Sequence, residues 1–594
     1  MHRIHAMDLS GQIGKLFKPK ERPHSPTAEL SVKTGKGCAK KDFQWLTTNV
    51  PCQAACPAGT DIPGYLTAIA GGEYEKAYRI NLIDNVFPAV LGRVCARPCE
   101  SACRHGYEGL GDPVAICFSK RSADDFNASG PVLLEPWFPN SGKKVAVIGA
   151  GVAGLTAARQ LKLMGHDVTV YEKHDSPGGM LNQGIPEFRL PREIIAREIA
   201  QITGLGIEIQ CGVSIGDDLK LTDLIPDVDA VVMAAGTLKP NLLNLPNHEL
   251  PGIMHGLDFL LQVNEGKTPH LGKNVIVIGG GFTAMDCART ARRLGAETAQ
   301  WDLKVLYRRS KDVMRVTPGE LEELDIEGIP LECHATPVAY LEKNGRLTGM
   351  KFRRTGTHEE FDVPADTVLL ATGQFPDHSW ECEPETFQTL ENFQKVFAAG
   401  DYASGASSLI DAIGHAKKVA EKVDQFLMGE KRMEKSVLVE PAETTGRSVE
   451  MNRIPRNRMP MLPVAERSLH GEVETGYRRK DAVSEANRCY RCHFKFEIDQ
   501  DKCIKCDWCL KAKPRPECIL MLKSIEHDNE GRAVSWEATD YVREMNMIWI
   551  NQDECIRCGA CLKACPVDAI SLQKVSLFSG TNIDNTGENP ENSE

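Results

Sequence analysis

KKVAVIGAGVAGLTAARQLKLMGHDVTVYEKHDSPGGM, residues 143–180, reads as a short apolar strand, a glycine turn, a helix and a second strand ending in Glu172. Gly149, Gly151 and Gly154 allow a tight turn, close approach of a pyrophosphate and close packing of the helix. The phosphates would sit at the helix N-terminus, where free amides and the helix dipole favour anions. Glu172 ends the second strand, placed to accept hydrogen bonds from ribose hydroxyls. The whole strand–turn–helix–strand–acid unit predicts a dinucleotide site, where a lone glycine triplet would not.

The pattern recurs downstream. KNVIVIGGGFTAMDCARTARRLGA (273–296) repeats it with Gly279, Gly281 and Ala284, and the strand after its helix, LKVLYRRSKDVMR (303–315), carries Arg308 and Arg309 where an NAD-type site would carry an acid. Guanidinium groups there suit a 2′-phosphate, which favours NADPH over NADH, and Arg315 stands a turn further on. The bland alternative is two solvated arginines at a strand end. A third glycine turn, KVFAAGDYASGASSLIDAIGHAKKVAE (395–421), holds Gly400 and Asp401.

Together these units resemble the two-dinucleotide-domain flavoproteins, in which a late Gly-Asp pair contacts the flavin ribityl chain. The resemblance implies FAD at Gly149, Gly151, Gly154, Glu172, Gly179, Met180, Gly400 and Asp401, with a pyridine nucleotide in a domain inserted inside the FAD domain. AVVMAAGT (230–237) and DTVLLATGQFPD (366–377) look like the two chain crossings of that family. No C-x2-C pair lies in either nucleotide unit and Cys287 stands alone, so a dithiol relay is not encoded. The electrons need another way onward.

Cysteine supplies it. The chain has 21 cysteines, five of them between Cys52 and Cys103 and ten between Cys489 and Cys565, and such grouping in a long chain reads as metal or cluster ligands. Near the C-terminus an internal repeat pairs DQDKCIKCDWCLKA (499–512) with NQDECIRCGACLKACP (551–566). The second copy has the bacterial ferredoxin spacing, in which the fourth cysteine of each run ligates the other cluster. One [4Fe–4S] cluster is expected on Cys503, Cys506, Cys509 and Cys565, and its mate on Cys555, Cys558, Cys561 and Cys518. Cys518 follows a longer loop than the pattern has, and four-thiolate zinc is the competing reading.

VPCQAACPAGTDIPGYL (50–66) and LGRVCARPCESACRHG (91–106) resemble the iron–sulfur domain of the glutamate synthase small (beta) subunit and the N-terminal half of dihydropyrimidine dehydrogenase. With the nucleotide units the resemblance spans about residues 43 to 425. In that family two clusters take a C-x2-C-x4-C-x3-C run, three later cysteines and a Gln or Glu. The chain departs from it: the two leading positions fall on Gln44 and Thr47, and Lys120 stands at the Gln/Glu position, where an ammonium cannot ligate iron. SEANRCYRC (484–492) has the look of the missing leading segment. One version has Cys489 and Cys492 returning to Cys52 and Cys103, with Cys56, Cys95, Cys99 and a substitute, nearest Cys117, in a second cluster. The other version has a single N-terminal cluster and leaves Cys489 and Cys492 spare. Both stay open at the level of sequence.

The expected architecture is multidomain α/β. A basic N-terminal arm (1–42) precedes a helical iron–sulfur domain (43–140). An FAD domain (141–250 and 366–430) encloses the NAD(P)H domain (251–365). A linker carrying Cys489 and Cys492 (431–494) leads to an α+β bacterial-ferredoxin-like domain (495–575) and a polar tail (576–594). Lys plus Arg number 70 against 81 Asp plus Glu, a net charge of −11, which argues against nucleic acid. The absence of a long apolar run argues against a transmembrane span, and the N-terminus lacks a signal-peptide core, so a cytoplasmic setting is expected. The function expected is an iron–sulfur flavoprotein passing electrons between NADPH, or NADH, and a low-potential one-electron acceptor. The partner would be ferredoxin or an oxidoreductase subunit in a hetero-oligomer. The alternatives are the electron-input subunit of a larger complex (a 2-oxoacid, aromatic-ring or aldehyde oxidoreductase, or a hydrogenase) and a glutamate synthase small subunit.

Overall fold

The computed structural model describes residues 43–295, 302–377, 394–527 and 533–581; the expected arm (1–42) and the tail beyond residue 581 lie outside the described residues. The N-terminal unit is a packet of helices, among them Ile62–Ala70, Tyr74–Asn85, Pro88–Val94 and Ile116–Asp125. The short helices Pro51–Ala54 and Pro98–Ser101 each open on a proline, with Cys52 and Cys99 in their first turns. Proline suits that place, since its fixed φ is helical and its missing N–H would have had no partner. The packet is bolted to the first nucleotide unit. Glu198, on the helix Arg192–Thr203, accepts hydrogen bonds from the Ala89 and Val90 amides at 2.7 and 2.9 Å, and burial pushes its carboxyl up to about 8 against their pull.

Two parallel sheets follow. The first runs Val396–Ala398, Ala230–Met233, Lys144–Ile148, Asp167–Glu172, Glu208–Cys211 in spatial order. The second runs Ile253–His255, Thr367–Leu370, Asn274–Ile278, Asp302–Tyr307, Leu331–Cys333. The central strands are buried on both faces, hence their continuous Val/Ile text. An antiparallel meander, Ala335–Lys343, Arg346–Arg354 and Glu360–Pro364, packs onto the second sheet. The two passages between the sheets lie side by side, Lys239–Pro240 pairing with Gln374–Phe375.

One expected boundary moves. The FAD domain is expected to resume over 366–430, but Thr367–Leu370 sits between Ile253–His255 and Asn274–Ile278 in the second sheet. An inserted domain must complete its own parallel sheet before the chain leaves it, and the first sheet is rejoined only at Val396–Ala398.

The C-terminal unit is antiparallel, and it too reaches past its expected limits. Ile570–Thr581 pairs on one side with Phe494–Ile498 and on the other with Met433–Pro441. The expected linker thus supplies a strand, and the expected tail is strand as far as Thr581. The rest of the linker is a strap across the other units. Arg456 pairs with Glu100 at 2.7 Å, Glu472 with Arg93 at 2.9 Å, and Arg467 with Glu323 and Glu327 at 2.7 and 2.8 Å.

Candidate functional site

In the first nucleotide turn the three glycines do different work. Gly149 has φ +99° and lies on the Ala234 carbonyl, where a Cβ would stand at 2.6 Å. Gly154 packs the helix onto the turn, since a Cβ would sit 1.9 Å from the Gly149 carbonyl oxygen. Gly151, by contrast, faces open space, its nearest neighbour being the Gly179 Cα at 4.0 Å from a built Cβ. That open backbone leads into the helix Val152–Leu163, whose N-terminus no side chain caps, leaving amides for a phosphate. Glu172 is held with both oxygens occupied, by the Ala150 amide at 2.7 Å and the His174 amide at 3.0 Å. The turn at Gly400 rests on the first helix, and its amide donates to His415 Nδ1 at 2.9 Å. These residues fit a flavin dinucleotide. We expect Gly154→Val to prevent flavin retention by displacing the turn, and Gly151→Ala to weaken it with the fold intact; FAD absorbance per chain beside far-UV circular dichroism separates the two.

The second turn repeats the first. Gly279 has φ +152° and lies on the Ala371 carbonyl, Gly280 on the ring of Tyr307, and a Cβ on Gly281 would meet nothing within 4 Å. Ala284 is fully buried where Gly154 stands in the first unit. The strand registers locate the acid's counterpart: Ile148 pairs with Tyr171 just before Glu172, and Ile278 pairs with Leu306 just before Tyr307. No carboxylate occupies that place, and Arg308 and Arg309 come next. Their backbone is fixed, with Thr355 Oγ1 donating to the Arg308 carbonyl at 2.6 Å and the His334 amide donating to the Arg309 carbonyl at 3.2 Å. Both residues are exposed, and neither guanidinium forms an ion pair among the described residues. Arg315 forms a backbone bridge with Gly281.

Both turns open into one cavity of about 910 Å³. Its wall includes Gly149, Gly151, Glu172, Gly179, Met180 and Asp401 from the first site, and Gly281, Thr283 and Arg315 from the second. Arg308 and Arg309 do not line it. The helical packet closes another side with Val94, Ala96 and Pro98, the residues flanking Cys95 and preceding Cys99. Arg189 and Asp286, which sequence reading missed, line the cavity as a 2.6 Å ion pair joining the two nucleotide units. No periodicity marks such a pair.

The cysteines gather in cages. Cys503, Cys506, Cys509 and Cys565 line one small void. Cys52, Cys103, Cys489 and Cys492 line another, with Arg104, His105 and Tyr490. Cys518 is buried near Cys555 and Cys558; burial, then those two thiolates, pushes its thiol up to about 12. Cys561 is pushed up in the same way by burial, Cys555 and Cys558. Among the described residues no group of three or more His, Cys, Asp or Glu side chains is placed to hold a single metal ion.

The last group is Cys56, Cys95 and Cys99 with Lys120. Burial opposes the Lys120 charge, but the surrounding Cys95, Cys117, Cys99 and Cys56 thiolates hold it above its ordinary range. Cys117 is near, yet its thiol donates to the Leu91 and Gly92 carbonyls at 3.2 and 3.3 Å. Cys287 packs against the Gly256 carbonyl in the second nucleotide unit, far from any other thiol in sequence.

Comparison with known proteins agrees with this layout. Residues 143–420 match the family model of pyridine nucleotide-disulphide oxidoreductases, 27–130 that of dihydropyrimidine dehydrogenase domain II with a 4Fe-4S cluster, and 548–571 that of 4Fe-4S binding domains. The beta subunit of NADP(+)-dependent formate dehydrogenase from Moorella thermoacetica is 34% identical, over 75% of this chain and 70% of the relative. The beta subunit of NADPH-Fe(3+) oxidoreductase from Geobacter sulfurreducens is 32% identical, over 75% of each. The chain belongs to the glutamate synthase small-chain-like family of NADPH/FAD iron–sulfur oxidoreductases. The Escherichia coli glutamate synthase small chain itself is 32% identical, over 66% of this chain and 92% of that one. As a member of this family the chain is an iron–sulfur flavoprotein oxidoreductase, binding FAD, a nicotinamide nucleotide and [4Fe–4S] clusters. No helix among the described residues is long and apolar enough to cross a membrane. Cys489 and Cys492 lie outside all three matched segments.

Proposed function

We propose that this chain passes electrons between NADPH and an acidic one-electron protein acceptor docked at its ferredoxin-like end, as the nucleotide-handling subunit of a larger oxidoreductase in a reducing cytoplasm. The observation that carries this is the single cavity shared by both nucleotide turns and the residues flanking Cys95. Bound there, FAD supplies hydride exchange with the nicotinamide and one-electron exchange with iron–sulfur centres. NADPH oxidation yields NADP+, one proton and two electrons, so two one-electron acceptors are reduced per nucleotide.

The residues of the chain position and exclude. The open amides at Gly151 and Gly281 receive phosphates, Glu172 faces the ribose end, and the Arg189–Asp286 pair keeps the two nucleotide units in register across the cavity. No carboxylate stands where it would repel a 2′-phosphate, which favours NADPH.

The outer cage carries the reading of the partner. Net charge alone points to a basic docking partner, but the surface around Cys503, Cys506 and Cys509 is mixed: Lys511 pairs with Asp507 at 2.9 Å, and Asp501 is exposed beside Lys502 and Lys505, neither of which forms an ion pair among the described residues. Ile504 and Trp508 are exposed there, among the exposed Lys502, Lys505 and Lys511. An apolar and aromatic centre beside the two unpaired lysines, Lys502 and Lys505, is the local feature that favours an acidic electron carrier.

The test is anaerobic reduction of a ferredoxin and of a viologen dye by the FAD- and iron–sulfur-replete chain. NADPH and NADH serve as separate donors, across a salt series. Reduction of both acceptors is expected with NADPH, the ferredoxin rate falling with salt and the dye rate holding. Flavin bleaching without reduction of either acceptor sinks the proposal. A salt-indifferent ferredoxin rate removes the docking surface from it.

A further inference from the structure

We infer that Cys489 and Cys492 complete an iron–sulfur cluster with Cys52 and Cys103, a cage closed by segments from opposite ends of the chain. Four thiols line one buried void: Cys52 from the first turn of Pro51–Ala54, Cys103 from the end of the second cysteine segment, and the pair Cys489 and Cys492. All but Cys103 are under a tenth exposed.

Backbone conformation is an independent sign. In each copy of the ferredoxin repeat the third residue of the first C-x2-C turn is left-handed although it is not glycine: Lys505 has φ +54° and Arg557 φ +56°. Arg491, the third residue of Cys489–Cys492, has φ +52°. L-residues rarely adopt this conformation, and surroundings that dictate it tend to be functional. Here it turns the Arg491 amide to within 3.4 Å of the Cys489 sulfur. Arg97 (φ +60°) does the same to Cys95, also at 3.4 Å. Amides aimed at sulfur stabilise thiolate ligands and tune the cluster they hold. Two spare cysteines would have no use for that turn.

The segment is also anchored as a ligand strap would be. Glu485, fully buried at the end of Arg479–Asn487, accepts a hydrogen bond from the Ala115 amide at 2.7 Å. Arg488 donates to the Pro113 and Asp112 carbonyls at 3.1 and 2.8 Å and pairs with Glu485 at 2.7 Å. Arg447 grips the Asn487 carbonyl at 2.8 Å and also the Cys489 carbonyl. Arg104, in the wall of the void, reaches the Gln552 carbonyl at 2.8 Å and Asp553 at 3.2 Å, just before Cys555. The cage therefore stands between the helical packet and the ferredoxin-like unit.

This inference rests on the reading of the N-terminal packet as an iron–sulfur domain, and the test keeps the two apart. The full chain is purified anaerobically as wild type, C489S/C492S, C489S, C52S and C117S. Iron, sulfide, zinc and FAD are counted, low-temperature electron paramagnetic resonance is recorded after reduction, and far-UV circular dichroism checks the fold. C489S/C492S and C52S should each lose one cluster, about four irons per chain, and the same resonance component, with FAD kept. C117S should lose nothing. Full iron in C489S/C492S with iron lost in C52S overturns this inference alone. Full iron in both overturns the N-terminal reading as well. Loss of zinc in place of iron overturns the cluster. Should the double variant fail to fold, C489S against C52S decides: loss of different components overturns the shared cage.

Discussion

Replacing Arg308 and Arg309 together by alanine is expected to raise the KM for NADPH about 30- to 150-fold and to leave that for NADH within about threefold. A charge-assisted hydrogen bond contributes about 1.5–3 kcal/mol. Both arginines are exposed, so solvent screening trims each to the lower end or below, and about 2–3 kcal/mol together is a fair sum. The selectivity follows from position. By strand register the place that Glu172 holds in the first unit is taken by Tyr307 in the second, so nothing there favours a free 2′-hydroxyl. The carbonyls of Arg308 and Arg309 are tied down by Thr355 and His334, so truncation removes charge without loosening the loop. Steady-state dye reduction with each donor measures both constants. If both KM values rise together, the arginines shape the loop; if neither moves, they are solvated and another group reads the phosphate. Arg315, bridged to Gly281 and in the cavity wall, is then the first alternative.

Much of this protein was written locally, and what was local was legible. Glycine turns declare themselves because Gly149, Gly154 and Gly279 sit where a Cβ would strike backbone. The ferredoxin repeat declares itself through spacing. What stayed hidden depends on pairing across distance. DTVLL at 366–370 reads as a buried strand, but an apolar run does not say which of two sheets it joins. Met433–Pro441 finds its partner beyond residue 570, so by sequence alone its stretch reads as linker. The left-handed residues Arg97, Arg491, Lys505 and Arg557 carry no compositional mark, since glycine is the usual signal and none of them is glycine. The nearness of Cys95 to the cavity comes from the docking of helix Pro88–Val94 on Glu198, a contact between residues more than a hundred positions apart.

The ferredoxin-like end offers the other large effect, and it runs against the order of the sequence. Cys565 closes the run that starts at Cys555, yet it lines the void of Cys503, Cys506 and Cys509. Cys518 belongs by sequence to the first run but lies with Cys555 and Cys558, the longer loop through Lys513 and Pro514 ending in a short turn, Pro516–Cys518, that delivers it there. Cys565→Ser should therefore remove the cluster of the first run and spare that of its own, about four irons per chain, while Cys518→Ser does the reverse. Cys503→Ser should lose the same resonance component as Cys565→Ser, and Cys555→Ser the same as Cys518→Ser. NADPH should still bleach the flavin at the wild-type rate in all four, because the nucleotide cavity contains none of these residues. Electron delivery to a ferredoxin should fall at least about tenfold in Cys503→Ser and Cys565→Ser, whose void lies beside the exposed Ile504 and Trp508, since that surface is the proposed port. Cys287→Ser, buried on the Gly256 carbonyl in the second nucleotide unit, controls for loss of any thiol and should change neither iron nor rate. If Cys565→Ser instead pairs with Cys555→Ser, each run binds its own cluster, and the void around Cys503 must be closed by another ligand.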